Sequence, residues 1–230
     1  MNRRCIVPVA GVCVAVSIAT TSSGCGSAGN AELPHAATAA VAPEPTAPPA
    51  GRVVVGAREK LAVASDVAPS TATLGSGTLN VTVNRVARTL TITDRSGRIV
   101  NSKPAGVGPT HVACAANGPC FVVDTGGDAL LVFRVGAGGR TLRLTRRVYV
   151  AGTPYAIAID GVRHRLWVTL TARNEVVELP SHGRPHILQR LPTLRQPNRV
   201  AVDSRSGDVL VAPPGAATMQ IIPNPATVGG

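Results

Sequence analysis

The sequence predicts an all-β fold assembled from repeated units of short strands. Three observations carry that expectation. Apolar residues make up 44% of the chain while aromatic residues make up only 2%, so Ala and Val supply most of the apolar content. Val favours pleated, half-buried surfaces, and 24 Gly with 19 Pro provide many turns. The third observation is recurrence. Gly152-Thr153-Pro154-Tyr155-Ala156-Ile157-Ala158-Ile159-Asp160 opens a turn–strand–turn–strand pattern that Pro109 and Pro197 also open, at a spacing of about 45 residues. After residue 25 no stretch shows a sustained helical period with caps.

Taken in order, the chain begins with a basic Met1-Asn2-Arg3-Arg4, an apolar Cys5 to Thr20 and a small-residue Thr21-Ser22-Ser23-Gly24-Cys25. Residues 1–24 read as a bacterial export signal, too short and too lightly flanked for a spanning helix. Ser23-Gly24-Cys25 resembles the cleavage site of a lipoprotein signal, which implies lipid attachment at Cys25. Ser22 departs from that pattern, which has an aliphatic residue there, and ordinary secretion is the alternative. Residues 25–51, punctuated by Pro34, Pro43, Pro45, Pro48 and Pro49, read as an extended, flexible tether.

Residues 52–230 hold the repeats. In register on the second strand of each copy stand Val81-Thr82-Val83-Asn84, Phe121-Val122-Val123-Asp124, Trp167-Val168-Thr169-Leu170 and Leu210-Val211-Ala212-Pro213. Each is followed without a gap by a third strand: Thr89–Ile92, Ala129–Val132, Glu175–Glu178 and Thr218–Ile221. First strands are expected at Ser70–Gly75, Thr110–Ala115, Tyr155–Asp160 and Asn198–Asp203. Fourth strands are expected at Arg98–Lys103, Leu142–Val150 and His186–Leu194. Four strands per 40–45 residues is the period of a β-propeller blade. The expected blades span roughly 65–106, 107–151, 152–195 and 196–222. In Ala156-Ile157-Ala158-Ile159, small residues are expected to crowd the axis while larger ones pack between blades. The fourth copy runs into Pro223-Asn224-Pro225 and lacks an outer strand. Arg52-Val53-Val54-Val55 is the candidate to supply it from the N-terminal side, with Leu61-Ala62-Val63-Ala64 as competitor. The result is a closed four-blade propeller or an incomplete arc, and the arc is preferred.

The repeats resemble YVTN-type propellers, which are close to NHL-type ones. Trp167-Val168-Thr169 and Val81-Thr82-Val83-Asn84 stand where the first family carries its signature. Val123-Asp124-Thr125-Gly126-Gly127-Asp128-Ala129-Leu130-Leu131-Val132-Phe133 is similar to the NHL strand–turn–strand. With the signal in front, the chain is similar to propeller lipoproteins of mycobacteria and related actinobacteria. The resemblance covers roughly residues 65–222 and implies a fold more than an activity. Family members commonly have seven blades, which makes a shortened relative with reduced function a further alternative.

Chemistry is sparsely indicated. His35, His111, His164, His182 and His186 fall in no HExxH pattern, and GxSxG is absent. Asp94, Asp124, Asp128, Asp160, Asp203 and Asp208 fall mostly at strand ends, where Asp closes turns through its side chain. They do not assemble the axial metal set of a propeller lactonase, and one tryptophan is too few for a quinoprotein. The expectation is therefore no catalytic residue, no cofactor and no metal, with an enzyme of lactonase or quinoprotein type as the alternative. Cys114 and Cys120 flank an Asn117-Gly118 turn and are a candidate disulfide in an oxidising compartment. The loops on one face of the repeats gather Asn84, Arg85, Thr110, His111, Asp124, Asp128, Tyr155, Arg173, Asn174, Asn198 and Arg199. They form either a binding face or ordinary turns. The net charge of +11 is almost all arginine, Lys60 and Lys103 being the only lysines. It reflects Arg-rich codon usage or attraction to anionic lipid or cell-wall polymer. No basic run with interleaved aromatics points to nucleic acid. The function expected is a lipid-anchored, extracytoplasmic, non-catalytic binding or scaffold module, partnered by the membrane and by an envelope protein or wall polymer.

Overall fold

The computed structural model describes residues 35–55, 71–74, 77–116, 118–215 and 217–224. The export signal, Cys25 and the Leu61–Ala64 run lie outside the described residues, as does Asn117 of the expected turn. Among the described residues, sixteen strands form four antiparallel sheets of four. The first sheet is β2 (Thr71–Leu74), β3 (Leu79–Asn84), β4 (Thr89–Asp94) and β5 (Ile99–Pro104). The second is β6 (Pro109–Cys114), β7 (Cys120–Asp124), β8 (Ala129–Val135) and β9 (Leu142–Tyr149). The third is β10 (Pro154–Asp160), β11 (Arg165–Leu170), β12 (Glu175–Pro180) and β13 (Gln189–Pro192). The fourth is β14 (Arg199–Val202), β15 (Val209–Ala212) and β16 (Thr218–Ile222), with β1 (Arg52–Val55) as its outer strand.

Strand alternation sorts side chains into three cores, one between each pair of neighbouring sheets. Val81, Val83, Leu90 and Ile92 of the first sheet meet Val112, Val122, Leu131 and Phe133 of the second. The opposite face of the second sheet, through Phe121, Val123 and Leu130, meets Ile157, Leu166, Val168 and Val177. Ala156, Trp167 and Val176 meet Val200, Val209, Val211 and Ile222. The reading of Ala156-Ile157-Ala158-Ile159 as axis against blade is thus corrected. Ile157 and Ile159 face the second sheet, whereas Ala156 and Ala158 face the fourth. A strand inside a stack of sheets has a neighbour on both faces, so both sets of side chains are interblade.

The stack is an arc. β2 packs on β6, β6 on β10 and β10 on β14, and among the described residues no equivalent packing returns from the fourth sheet to the first. The first sheet carries a hydroxyl row on the face away from the second. Thr71, Thr82, Thr91 and Ser102 are cross-strand partners in one line. Their hydroxyl oxygens lie 3.4 Å apart between Thr71 and Thr82, and 3.0 Å apart between Thr91 and Ser102. A polar outer face is what the end member of a stack requires.

At the other end, β1 pairs with β16 in the register Arg52 to Ile221 through Val55 to Thr218. Val54 joins Ala212, Met219 and Ile221 in a small apolar cluster. Turns repeat as well. Asn84, Asp94, Asp160 and Asp203 each accept two amide hydrogen bonds from the following turn through one side-chain oxygen. Hydrogen bonds led by the Ser96 hydroxyl hold the Asp94 carboxyl down to about 2. Cys114 and Cys120 are cross-strand partners joined by a disulfide, with Cα atoms 4.0 Å apart.

Deleting Arg52–Val55 removes the outer strand of the fourth sheet and the burial of Val54. The expected loss is about 2–3 kcal/mol, which lowers the melting temperature of a domain this size by several degrees. An unchanged melting curve would contradict the pairing of β1 with β16.

Candidate functional site

The loop face is built by a device that repeats in three sheets. Arg88, Asp128 and Asn174 each sit immediately before the third strand of their sheet in left-handed backbone conformation, with φ of 56°, 47° and 53°. The carbonyl of each accepts the amide that begins the link to the next sheet, from Ala105, Val150 and Thr193 respectively. Asp128 and Asn174 add their side chains. Asp128 Oδ1 accepts from the Thr153 amide at 2.9 Å, and Asn174 Oδ1 from the Gln196 amide at 2.7 Å. Short Asx side chains tolerate the left-handed region and bond locally, which is why they suit this position better than Arg88.

Asp124 plays a related part between the first and second sheets. Its buried Oδ1 accepts from the Val107 and Gly108 amides at 2.9 and 2.8 Å. Oδ2 faces the Arg147 guanidinium at 3.5 Å. Gly106 and Gly127 crowd this carboxylate so closely that a Cβ on either would lie 2.3 and 2.2 Å from it, respectively. Thr110 and Thr125 share a 2.6 Å hydroxyl contact, and both reach carbonyls at the start of β10. Asn84 closes its own turn. Of the eleven collar residues expected from sequence, Asn84, Thr110, Asp124 and Asp128 therefore hold loops in place. Arg173 is exposed and lies along Gly152, and Arg199 is half-buried.

Arg85, His111 and Tyr155, from three different sheets, come together. The His111 ring packs edge-on against Tyr155 with centroids 4.7 Å apart, and the Arg85 guanidinium carbon is 6.0 Å from the Tyr155 ring centre. His111 is buried, and among the described residues its Nδ1 has no hydrogen-bond partner. Arg85 Nε and Asn198 Oδ1 are likewise buried and unpaired there. Burial first, and the Arg85 charge second, push the His111 imidazolium down to a pKa of about 3. The ring is therefore neutral across the physiological range.

Sequence reasoning missed what lies across this face. Residues 37–50, expected within a free tether, are hydrogen bonded to the sheets. Arg85 donates to the Ala37 carbonyl. The Ala40 amide donates to Thr171 Oγ1 at 3.1 Å. Arg195 Nε donates to the Ala42 carbonyl at 3.1 Å and pairs with Glu44 at 2.8 Å. Asn174 Nδ2 donates to the Pro43 carbonyl at 2.9 Å. Ala42 is buried. Further on, the Ala50 amide donates to the Pro192 carbonyl, and buried Gln220 donates to the Ala50 carbonyl at 2.7 Å. The segment thus crosses from the first sheet to the fourth and leads into β1. Thr171, Arg195 and Gln220 were not expected as site residues. Only Gln220 left a signal, as a polar side chain in the apolar run Met219-Gln220-Ile221-Ile222.

Among the described residues, no three His, Cys, Asp or Glu side chains gather as metal ligands would. The face instead presents donors and an acceptor to the main chain of residues 37–43.

This is the β-propeller class of fold, in the form of a four-sheet arc. No protein-family model matches the chain, and no curated protein matches it. Solved structures do. A functionally unknown protein from Desulfotomaculum acetoxidans matches with a TM-score of 0.58 at 15% identity, over 63% of this chain and 48% of that one. The β-propeller domain of Cps50 (Swd1) from Myceliophteria thermophila matches with a TM-score of 0.56 at 13% identity, over 66% and 51%. A candidate 6-phosphogluconolactonase from Bacteroides uniformis matches with a TM-score of 0.58 at 12% identity, over 70% and 51%. The chain spans about half the length of each of these structures, and the likeness at such identities concerns the fold alone.

The His111 shift has a definite sign. An imidazole whose pKa falls from 6.5 to about 3 on folding makes stability fall as pH drops through that window, because only the unfolded chain takes up the proton. Between pH 6 and 4.5 the native protein should lose up to about 1.4 kcal/mol per pH unit more than a His111→Phe variant, read by urea denaturation. Parallel pH profiles would contradict the buried, neutral ring.

Proposed function

We infer that the protein is an extracytoplasmic, lipid-anchored module of the YVTN/NHL propeller type whose loop face binds extended polypeptide without catalysis. The observation that carries this reading is the set of contacts to residues 37–43. Arg85, Thr171, Asn174 and Arg195 grip that segment through its carbonyl and amide groups. Main-chain recognition of an extended ligand gives affinity with loose sequence preference, as in other strand-like peptide modes. A Pro- and Ala-rich ligand suits such a face. Its backbone is pre-extended and loses little entropy on docking. On this reading the chain's own N-terminal segment fills the face in the resting protein, and an envelope protein with a similar segment competes for it.

Replacing residues 37–44 with a Gly/Ser sequence of equal length should empty the face. A fluorescent peptide with the sequence of residues 36–47 should then bind with micromolar affinity, and should bind the native chain at least tenfold more weakly. Failure to bind the emptied face would contradict this reading. The anchor is tested separately. Cys25→Ala should move the protein from the membrane fraction to the soluble extracytoplasmic fraction, and continued partitioning into detergent would contradict lipid attachment.

A further inference from the structure

Away from the loop face, arginines converge where the second sheet meets the third. β8 and β9 pair with Arg134 directly opposite Arg143, and with Arg146 opposite Val132. Val132 belongs to the core shared with the third sheet. Strand alternation therefore turns Arg134, two residues on, toward that sheet. The link between β12 and β13 brings Arg184 and His182 to the same place. Three adjoining hollows of about 620, 690 and 550 Å3 run along this outer edge. Thr145 lines all three, Arg146 and Arg184 line the first two, and Arg134 lines the first and third. Phe121 and Val132 form an apolar floor in the first.

The guanidinium groups of Arg134, Arg143, Arg146 and Arg184 are exposed, and none has a carboxylate partner among the described residues. Among the described residues, no acidic side chain lines any of the three hollows. Like charges placed directly across an antiparallel pair destabilise it. Charges that merely protect an edge strand from pairing belong on that strand. Here Arg134 sits on β8, an interior strand, and Arg184 arrives from another sheet. Among the described residues, such a convergence lacks its counter-charge.

We propose that this groove binds a linear polyanion through successive phosphate groups. Planar guanidinium forks match pairs of phosphate oxygens, and the apolar floor lowers the local dielectric and strengthens the contact. The recess follows a strand edge, a shape suited to a polymer chain rather than to a flat bilayer.

The test is calorimetric titration of the full chain in detergent with inorganic polyphosphate, at two salt concentrations. The native protein should bind, with affinity falling as salt rises. The triple variant R134Q/R146Q/R184Q should lose at least tenfold in affinity and show a shallower salt dependence. A control triple of equal charge, R95Q/R140Q/R205Q, should change affinity less than threefold. Should the groove triple melt abnormally, R184Q alone, in a link outside the paired strands, should still cost at least threefold. Equal losses in both triples would overturn the proposal in favour of the whole molecule's field. Absence of binding by the native chain would overturn it too. So would binding confined to phosphatidylglycerol vesicles, which would point to a lipid surface.

Discussion

A sheet with apolar residues on both faces needs a neighbour on each side. That constraint organises the molecule. Phe121, Leu130 and Val132 look one way from the second sheet, while Val122, Leu131 and Phe133 look the other. Neither face is stable in water alone, since each large buried side chain contributes about 1.5–3 kcal/mol only when covered. Repetition solves the problem for interior sheets and moves it to the ends. A closed ring has no ends. This arc has two, and it treats them differently. The first sheet ends in hydroxyl groups aligned across all four strands. The fourth sheet takes its outer strand from the N-terminal side, and Val54 settles against Met219 and Ile221.

The same stretch of chain that completes the fourth sheet also laces the loops. Between Ala37 and Ala50 it touches the first, third and fourth sheets, and then becomes β1. Covering the loop face and closing the last sheet are therefore linked events. On the reading proposed above, displacing the segment from Asn174 and Arg195 would free the face for another extended chain, while β1 would keep the displaced segment nearby. His111 Nδ1 in β6, Arg85 Nε just after β3 and Asn198 Oδ1 just before β14 are buried and, among the described residues, unpaired. Unsatisfied buried polar groups carry a cost, and at a binding face they are offset when a ligand supplies partners.

Much of the architecture was legible because it rests on side-chain pattern. The gap-free second and third strands located β3–β4, β7–β8, β11–β12 and β15–β16, and the run Arg52–Val55 was readable as the missing outer strand. Cys114 and Cys120 were readable as a pair because a hairpin places them opposite each other. Part of the site was not legible. Ala37, Ala42 and Pro43 dock through carbonyl groups, which every residue possesses, so an Ala/Pro-rich segment looks the same free or bound. Arg134 facing Arg143 depends on a register shift between Val132 and Phe133, which no spacing rule locates. His111 was visible as a residue, but its burial against Tyr155 depends on two sheets meeting.

The most direct measurement of the account is hydrogen–deuterium exchange along the N-terminal segment of the full chain. The Ala40 and Ala50 amides donate to Thr171 and to Pro192, respectively. If residues 37–50 lie across the loop face, both amides should exchange far more slowly than those of an unstructured peptide, and Asn174→Ala should speed Ala40 more than Ala50. Exchange of both at free-chain rates in the native protein would contradict the docked segment, and with it the reading of the loop face as a site for extended polypeptide.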